Sequence, residues 1–150
     1  MFCSICCNLA TQNEKYYMED FVHLHVHTNY SILDGQSKIP KLVDKAINDG
    51  MKGMAITDHG VMYGVLNLYN AAIKEGIKPI IGCEVYVAPR SRFDKEAGLD
   101  NAAYHLVLLC ENQEGYQNLC KLVSYAFLEG FYYKPRVDLE LLRKYHKGLI

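Results

Sequence analysis

The sequence predicts an α/β domain of about four successive β/α units with parallel strands. Short runs rich in β-branched residues alternate about four times with stretches that keep helical apolar spacing. Glycine and proline punctuate the changes of period. Histidines and carboxylates also gather at or near the ends of the expected strands, the end that carries the chemistry in β/α barrels. At 150 residues, 50% hydrophobic and 22% charged, the chain has the composition of one ordinary globular domain. Its formal net charge of -1 excludes a protein that grips nucleic acid by bulk electrostatics. No apolar run is long enough to span a membrane.

Residues 1–20 show no periodicity and read as a weakly ordered leader; the domain proper is expected over 21–150. Cys3, Cys6 and Cys7 in the leader lack a second Cys or His pair at zinc-module spacing. Cys83, Cys110 and Cys120 lie in apolar segments and read as small buried hydrophobes. Reduced thiols in a cytoplasmic protein are the simplest account.

The first expected strand, FVHLHVH from Phe21, places His23, His25 and His27 at every second residue, which in a regular strand aims all three imidazoles one way. Such a row makes a poor core but a good metal face. Asp34, next to Gly35, sits where a turn can return a carboxylate to that face. Ile39, Leu42, Val43, Ala46 and Ile47 predict a helix over Ser37 to Asp49, with Ser37 as cap and Pro40 in the first turn. Gly53 to Thr57 is a short strand ending in Asp58-His59-Gly60. Val65, Leu68, Tyr69, Ala72 and Ile73 predict a helix from about Gly64 to Glu75.

Lys78 to Ala88 reads as a buried strand containing Glu84, a carboxylate costly to bury unless paired or cation-bound. Arg90 to Ala102 is a polar loop in which Arg90 and Arg92 are possible phosphate contacts. Tyr104 to Cys110 is a strand with His105 near its start, and Gln113 to Leu128 is a helix. After a connection from Gly130 to Pro135, Asp138 caps a short helix ending at Tyr145. Gly148-Leu149-Ile150 looks like another strand beginning, so the domain is expected to be cut short.

The candidate ligands are therefore His25, His27, Asp34, His59, Glu84 and His105, with His23 and Asp58 as further ligands or orienting groups. A mixed imidazole and carboxylate set favours zinc, manganese or iron over calcium. Hydrolysis by metal-activated water is the reaction it supports.

The runs HLHVHT, ITDHG, GCEVYV and YHLVLLCEN resemble the successive motifs of the polymerase and histidinol phosphatase (PHP) family. The similarity covers Phe21 to Ile150 and is closest to the N-terminal PHP domains of bacterial replicative DNA polymerases. It implies a distorted barrel of seven β/α units around up to three divalent metal ions. By position, His25 and His27 match the first motif, with His23 where an Asp is usual. Asp34, His59, Glu84 and His105 match the ligands that follow. The resemblance further implies either a metal-dependent 3′–5′ exonuclease or a non-catalytic platform for a proofreading subunit. DNA, deoxynucleotides and other replicase subunits would be partners of the missing polymerase domains. A stand-alone phosphoesterase of histidinol phosphatase type is the alternative. The family's later ligands and the polymerase carboxylates have no counterpart in the chain.

Overall fold

β2 (Lys78–Val87) is the strand on which the other elements converge in the computed structural model, which describes residues 21–150; the leader and its three cysteines lie outside the described residues. One edge of β2 takes β3 (Tyr104–Leu109) antiparallel, with Glu84 opposite Val107. The other edge is shared by three short partners. β1 (Gly53–Ile56) runs parallel to the first part of β2, with Ile56 opposite Ile81. His59 then bridges Glu84, and β4 (Arg136–Val137) runs parallel to Tyr86 and Val87. The sheet is therefore mixed, which corrects the all-parallel expectation. A parallel return needs a crossover, usually a helix. Residues 88–103 contain none, so β3 comes straight back. The final residues also run antiparallel, Leu109 and Ile150 exchanging hydrogen bonds of 2.9 and 3.0 Å.

The histidine segment is not a regular strand. Ala55 N donates to His23 O at 3.0 Å and Thr57 N to Val26 O at 2.8 Å. Two residues of β1 and its extension thus span three of the neighbour. Val26 N, left without a carbonyl, donates to Thr57 Oγ1 at 2.9 Å. The extra residue is a bulge in effect and breaks the two-residue alternation.

Helix α1 (Ile39–Asn48) buries Ile39, Val43 and Ala46 against Met54 and Ile56 of β1 and against Leu68 and Ala72 of α2 (Val65–Glu75). Lys38, not Ser37, occupies the N-cap and makes no side-chain bond there, while Ser37 uses its carbonyl to accept from Asn29 N. Pro40 stands in the first turn, where its missing N–H costs nothing. A second core packs Cys83, Val85 and Leu108 against Leu119, Leu122 and Ala126 of α3 (Gln113–Leu128) and Leu141 of α4 (Leu139–Tyr145). Each such fully buried Leu contributes about 1.5–3 kcal/mol of burial. Asn112 caps α3 by accepting from Gly115 N at 3.0 Å, and Asp138 caps α4 by accepting from Leu141 N at 3.0 Å. Cys83 is buried, whereas Cys110 and Cys120 are only half-buried.

The polar loop after β2 has no repeating structure but is firmly tied. Arg136, 1% exposed, donates to the carbonyls of Gly130 at 3.0 Å, Asp100 at 2.9 Å, Arg92 at 3.3 Å and Asp94 at 2.8 Å. Asp100, fully buried, accepts from Arg90 Nε at 2.9 Å and from Glu96 N at 2.9 Å. The Arg90 guanidinium holds the Asp100 carboxyl down to about 2.

Arg136→Ala leaves four carbonyls without their donor and should lower the unfolding free energy by about 3 kcal/mol in urea titration. Arg136→Lys should recover less than half, because an ammonium lacks the planar fork. Asp100 has a folded value below its unfolded ~3.9, so its contribution is present above about pH 4 and lost as pH falls toward about 2. The Asp100→Asn variant should therefore lose less stability than the parent protein between about pH 5 and about pH 3.

Candidate metal centre

Five segments deliver the six candidate ligands. The irregular extended segment brings His25 and His27, and the turn after it brings Asp34. The residues just past β1 bring His59, β2 brings Glu84, and β3 brings His105 from the register position opposite Tyr86. Glu84 is central. Its side chain is only 4% exposed, and its two oxygens face different groups. Oε2 pairs with His25 Nε2 and lies 3.1 Å from His27 Nε2. Oε1 pairs with His105 Nδ1 and lies 3.3 Å from His59 Nδ1. Asp34 Oδ2 meets the other nitrogen of His59, Nε2, at 2.8 Å.

Three overlapping triads result: His25, His27 and Glu84; His27, Asp34 and His59; His59, Glu84 and His105. Burial alone raises the Glu84 carboxyl, but the hydrogen bonds from His25 and His105 outweigh it and hold it below its ordinary value. Burial, helped by the neighbouring His59, lowers His27, which keeps its imidazole neutral and its lone pair free. Cys83 next door is no thiolate donor, since burial pushes its thiol up to about 12.

The donor set fits divalent metal. His25 Nε2 and His27 Nε2 stand 3.1 Å apart on one carboxylate oxygen, more donor nitrogen than that oxygen needs. His59 Nδ1 is buried without a hydrogen-bond partner, an orphan that a cation would satisfy. Imidazole with carboxylate oxygen suits zinc, manganese or iron.

Asp58 is not among the triads. Its buried carboxylate accepts from Thr28 N at 2.6 Å, Thr28 Oγ1 at 2.8 Å and Ser31 Oγ at 2.7 Å. Ser31 Oγ in turn accepts from His59 N at 3.1 Å and lies 3.4 Å from His27 Nδ1. Asp58 thus orients the loop that joins His27 to Asp34, not the His59 ring. Thr28 and Ser31 escaped the sequence reading, although their spacing beside His27 is a usable signal. His23 is turned out of the cluster by the bulge, and its ring sits edge-on to Phe21 at 4.8 Å. Gly60, at φ 64°, has no room for a side chain: a Cβ there would stand 2.9 Å from Pro135 and 3.1 Å from the Tyr86 ring. Tyr86 stacks on His59 with centroids 6.0 Å apart and meets His105 edge-on at 4.9 Å.

Arg90 and Arg92, expected as possible phosphate contacts, are both engaged by carboxylates of the chain itself. Arg90 is engaged by Asp100 and Glu96. Arg92 is buried and engaged by Glu129 at 2.6 Å, Asp138 at 3.0 Å and Glu140 at 3.3 Å. Both guanidiniums serve the loop instead.

The family model for the PHP domain matches residues 23–150. A DNA polymerase III subunit alpha of Chlamydia pneumoniae is 52% identical over 131 residues, covering 87% of this chain and 11% of that protein. The same-named protein of Treponema pallidum (strain Nichols) is 54% identical over 131 residues, covering 87% and 11%. The chain thus spans 11% of the length of these curated relatives. Among solved structures, an amidohydrolase from Chromobacterium violaceum is similar at 23% identity and a TM-score of 0.46, over 70% of this chain and 32% of that one.

Protein purified without chelator should carry divalent metal by mass spectrometry. His25→Ala with His27→Ala should remove most of it, and His23→Ala should leave it unchanged. Because protons compete for imidazole and carboxylate donors, bound metal should be released as pH falls from about 7 to about 5.

Proposed function

This chain belongs to the PHP domain family, and we propose that it is the N-terminal PHP portion of a bacterial replicative DNA polymerase, the DNA polymerase III alpha subunit. In this reading the mixed sheet is part of a distorted (β/α)7 barrel, and the cluster hydrolyses phosphodiesters at a 3′ DNA end. About half of the residues are identical to polymerases of that name, which supports the parent assignment. The observation that carries the chemistry is Glu84, buried between two pairs of imidazoles, with His59 Nδ1 beside it lacking a partner.

His25, His27, Asp34, His59, Glu84 and His105 would hold up to three ions. When bound, such ions activate water and neutralise charge on a phosphoryl group. The chain's own residues fix the geometry for this. Glu84 presents one oxygen to each side, so the same carboxylate spaces two groups of donors. Asp58, through Thr28 and Ser31, holds the loop that carries Asp34 at the exposed rim. Tyr86 walls the site behind His59 and His105.

The partners in this reading are DNA, deoxynucleotides and other replicase subunits, including a proofreading subunit, and the setting is the bacterial cytoplasm. Among the described residues no helix is long and apolar enough to cross a membrane. A stand-alone phosphoesterase of histidinol phosphatase type explains the ligands but not the identity to polymerases.

In the full-length polymerase, removal of a 3′-terminal mismatch should depend on divalent metal. Glu84→Ala should reduce it by at least about 100-fold, the loss of an electrostatic group at the reacting centre, while primer extension continues. Retained mismatch removal in that variant would place the chemistry elsewhere. Bound metal in the parent with no mismatch removal would point to the platform role.

A further inference from the structure

Next to the cluster lies a cleft of about 520 Å³, within the size range that accepts a small ligand. Its lining includes Asp34, His59 and His105, so it opens directly onto the candidate ligands. Lys134 is its one lysine or arginine, and among the described residues no carboxylate pairs with it. Its Nζ lies 5.3 Å from the centroid of Tyr86, the ring that packs on His59 and His105. The ammonium is therefore held over the wall of the metal centre and remains uncompensated. Its placement has a backbone cause. Tyr133 adopts φ 57°, a left-handed conformation that a tyrosine rarely takes, inside a tight turn closed by Tyr132 N to Lys134 O at 3.1 Å. Pro135 follows and is buried against Gly60. Strain before Lys134 and a rigid ring after it fix where its side chain leaves the chain.

Aromatic surface completes the cleft. Tyr63 is 65% exposed and Phe127 is 40% exposed, and both line it. An exposed tyrosine has a face to offer a planar, weakly polar group, and every nucleobase presents one. An anion subsite, an aromatic face and a metal cluster in one cleft match the parts of a nucleotide: phosphate, base and the ester to be cut.

We infer that this cleft holds the terminal nucleotide of a phosphodiester substrate, with Lys134 contacting its phosphate and Tyr63 stacking on its base. The inference rests on the metal-dependent phosphoester reading above and assigns the anion contact that Arg90 and Arg92 do not supply. Lys134 is here a binding residue, and Tyr63 a residue that distinguishes a nucleotide from a bare phosphate.

The test is calorimetric titration of the full chain, purified with its metal retained, using thymidine 5′-monophosphate and inorganic phosphate as separate probes. Metal content is read on the same samples. Lys134→Met keeps the aliphatic stem and should weaken both probes about tenfold, as expected for loss of one charge-assisted contact. Lys134→Arg should stay within about threefold of the parent protein. Tyr63→Ala should weaken the nucleotide about fivefold and leave inorganic phosphate unchanged. Metal content should not move in any of the three. The proposal is overturned if the parent chain binds neither probe at millimolar concentration, or if Lys134→Met binds both as well as the parent does. Equal losses in Lys134→Met and Lys134→Arg would also overturn it. Absence of metal from every sample would instead refute the metal reading, and the comparison of variants would still decide whether Lys134 binds the anion.

Discussion

A carboxylate buried at the centre of a sheet has to be answered by its surroundings, and Glu84 is answered twice. Its side chain is surrounded by imidazoles from three different segments. Its backbone also holds the sheet together at that point, N donating to Asp58 O at 3.1 Å and O accepting from Gly60 N at 2.9 Å. Those two bonds continue the β1 edge past the end of β1 and carry His59 into the cluster. One residue therefore fixes both where the chain runs and where the donors meet. An unpaired charge there would cost several kcal/mol, so the fold itself needs some of these imidazoles to stay beside Glu84.

The two apolar cores meet β2 at different places, the first at Ile81 and the second at Cys83, Val85 and Val87. α1, β1 and α2 pack on the first part of the strand, and α3 and α4 pack on the second. The cluster lies where the packing changes hands, and the ends of both halves contribute to it. The clustered side chains accordingly come from strands and turns rather than from helices. Regular elements supply rigidity behind the site, while the irregular segments carrying His25, His27 and Asp34 supply the convergence.

Much of this was legible. The helices over 39–48, 65–75, 113–128 and 139–145 follow from apolar spacing, and the side chains that cluster with Glu84 from their pattern along the chain. The direction of β3 was missed, although the polar link before it holds no helix that could make a parallel return. What hid His23 was a hydroxyl: Thr57 Oγ1 takes the place of a carbonyl, and no periodicity reveals that. Arg92 looked available because its partners Glu129 and Asp138 lie 37 and 46 residues away. Arg136, passed over in the sequence, is buried by carbonyls from a loop with no pattern of its own. Spacing reports what neighbours along the chain share, and each of these depended on a partner far away in the sequence.

The uneven burial of the six donors bears on how such a site ages within a lineage. His25, His105 and Asp34 are exposed at the rim, so replacing them disturbs little packing. Glu84 is enclosed by backbone and rings that were shaped around it. Drift can strip the rim one residue at a time while the molecule still folds. The centre resists, because a new residue there must satisfy the imidazoles left behind. A chain that loses its rim donors would therefore still keep Glu84 and His27 at the centre, with the outer positions turned into ordinary surface residues.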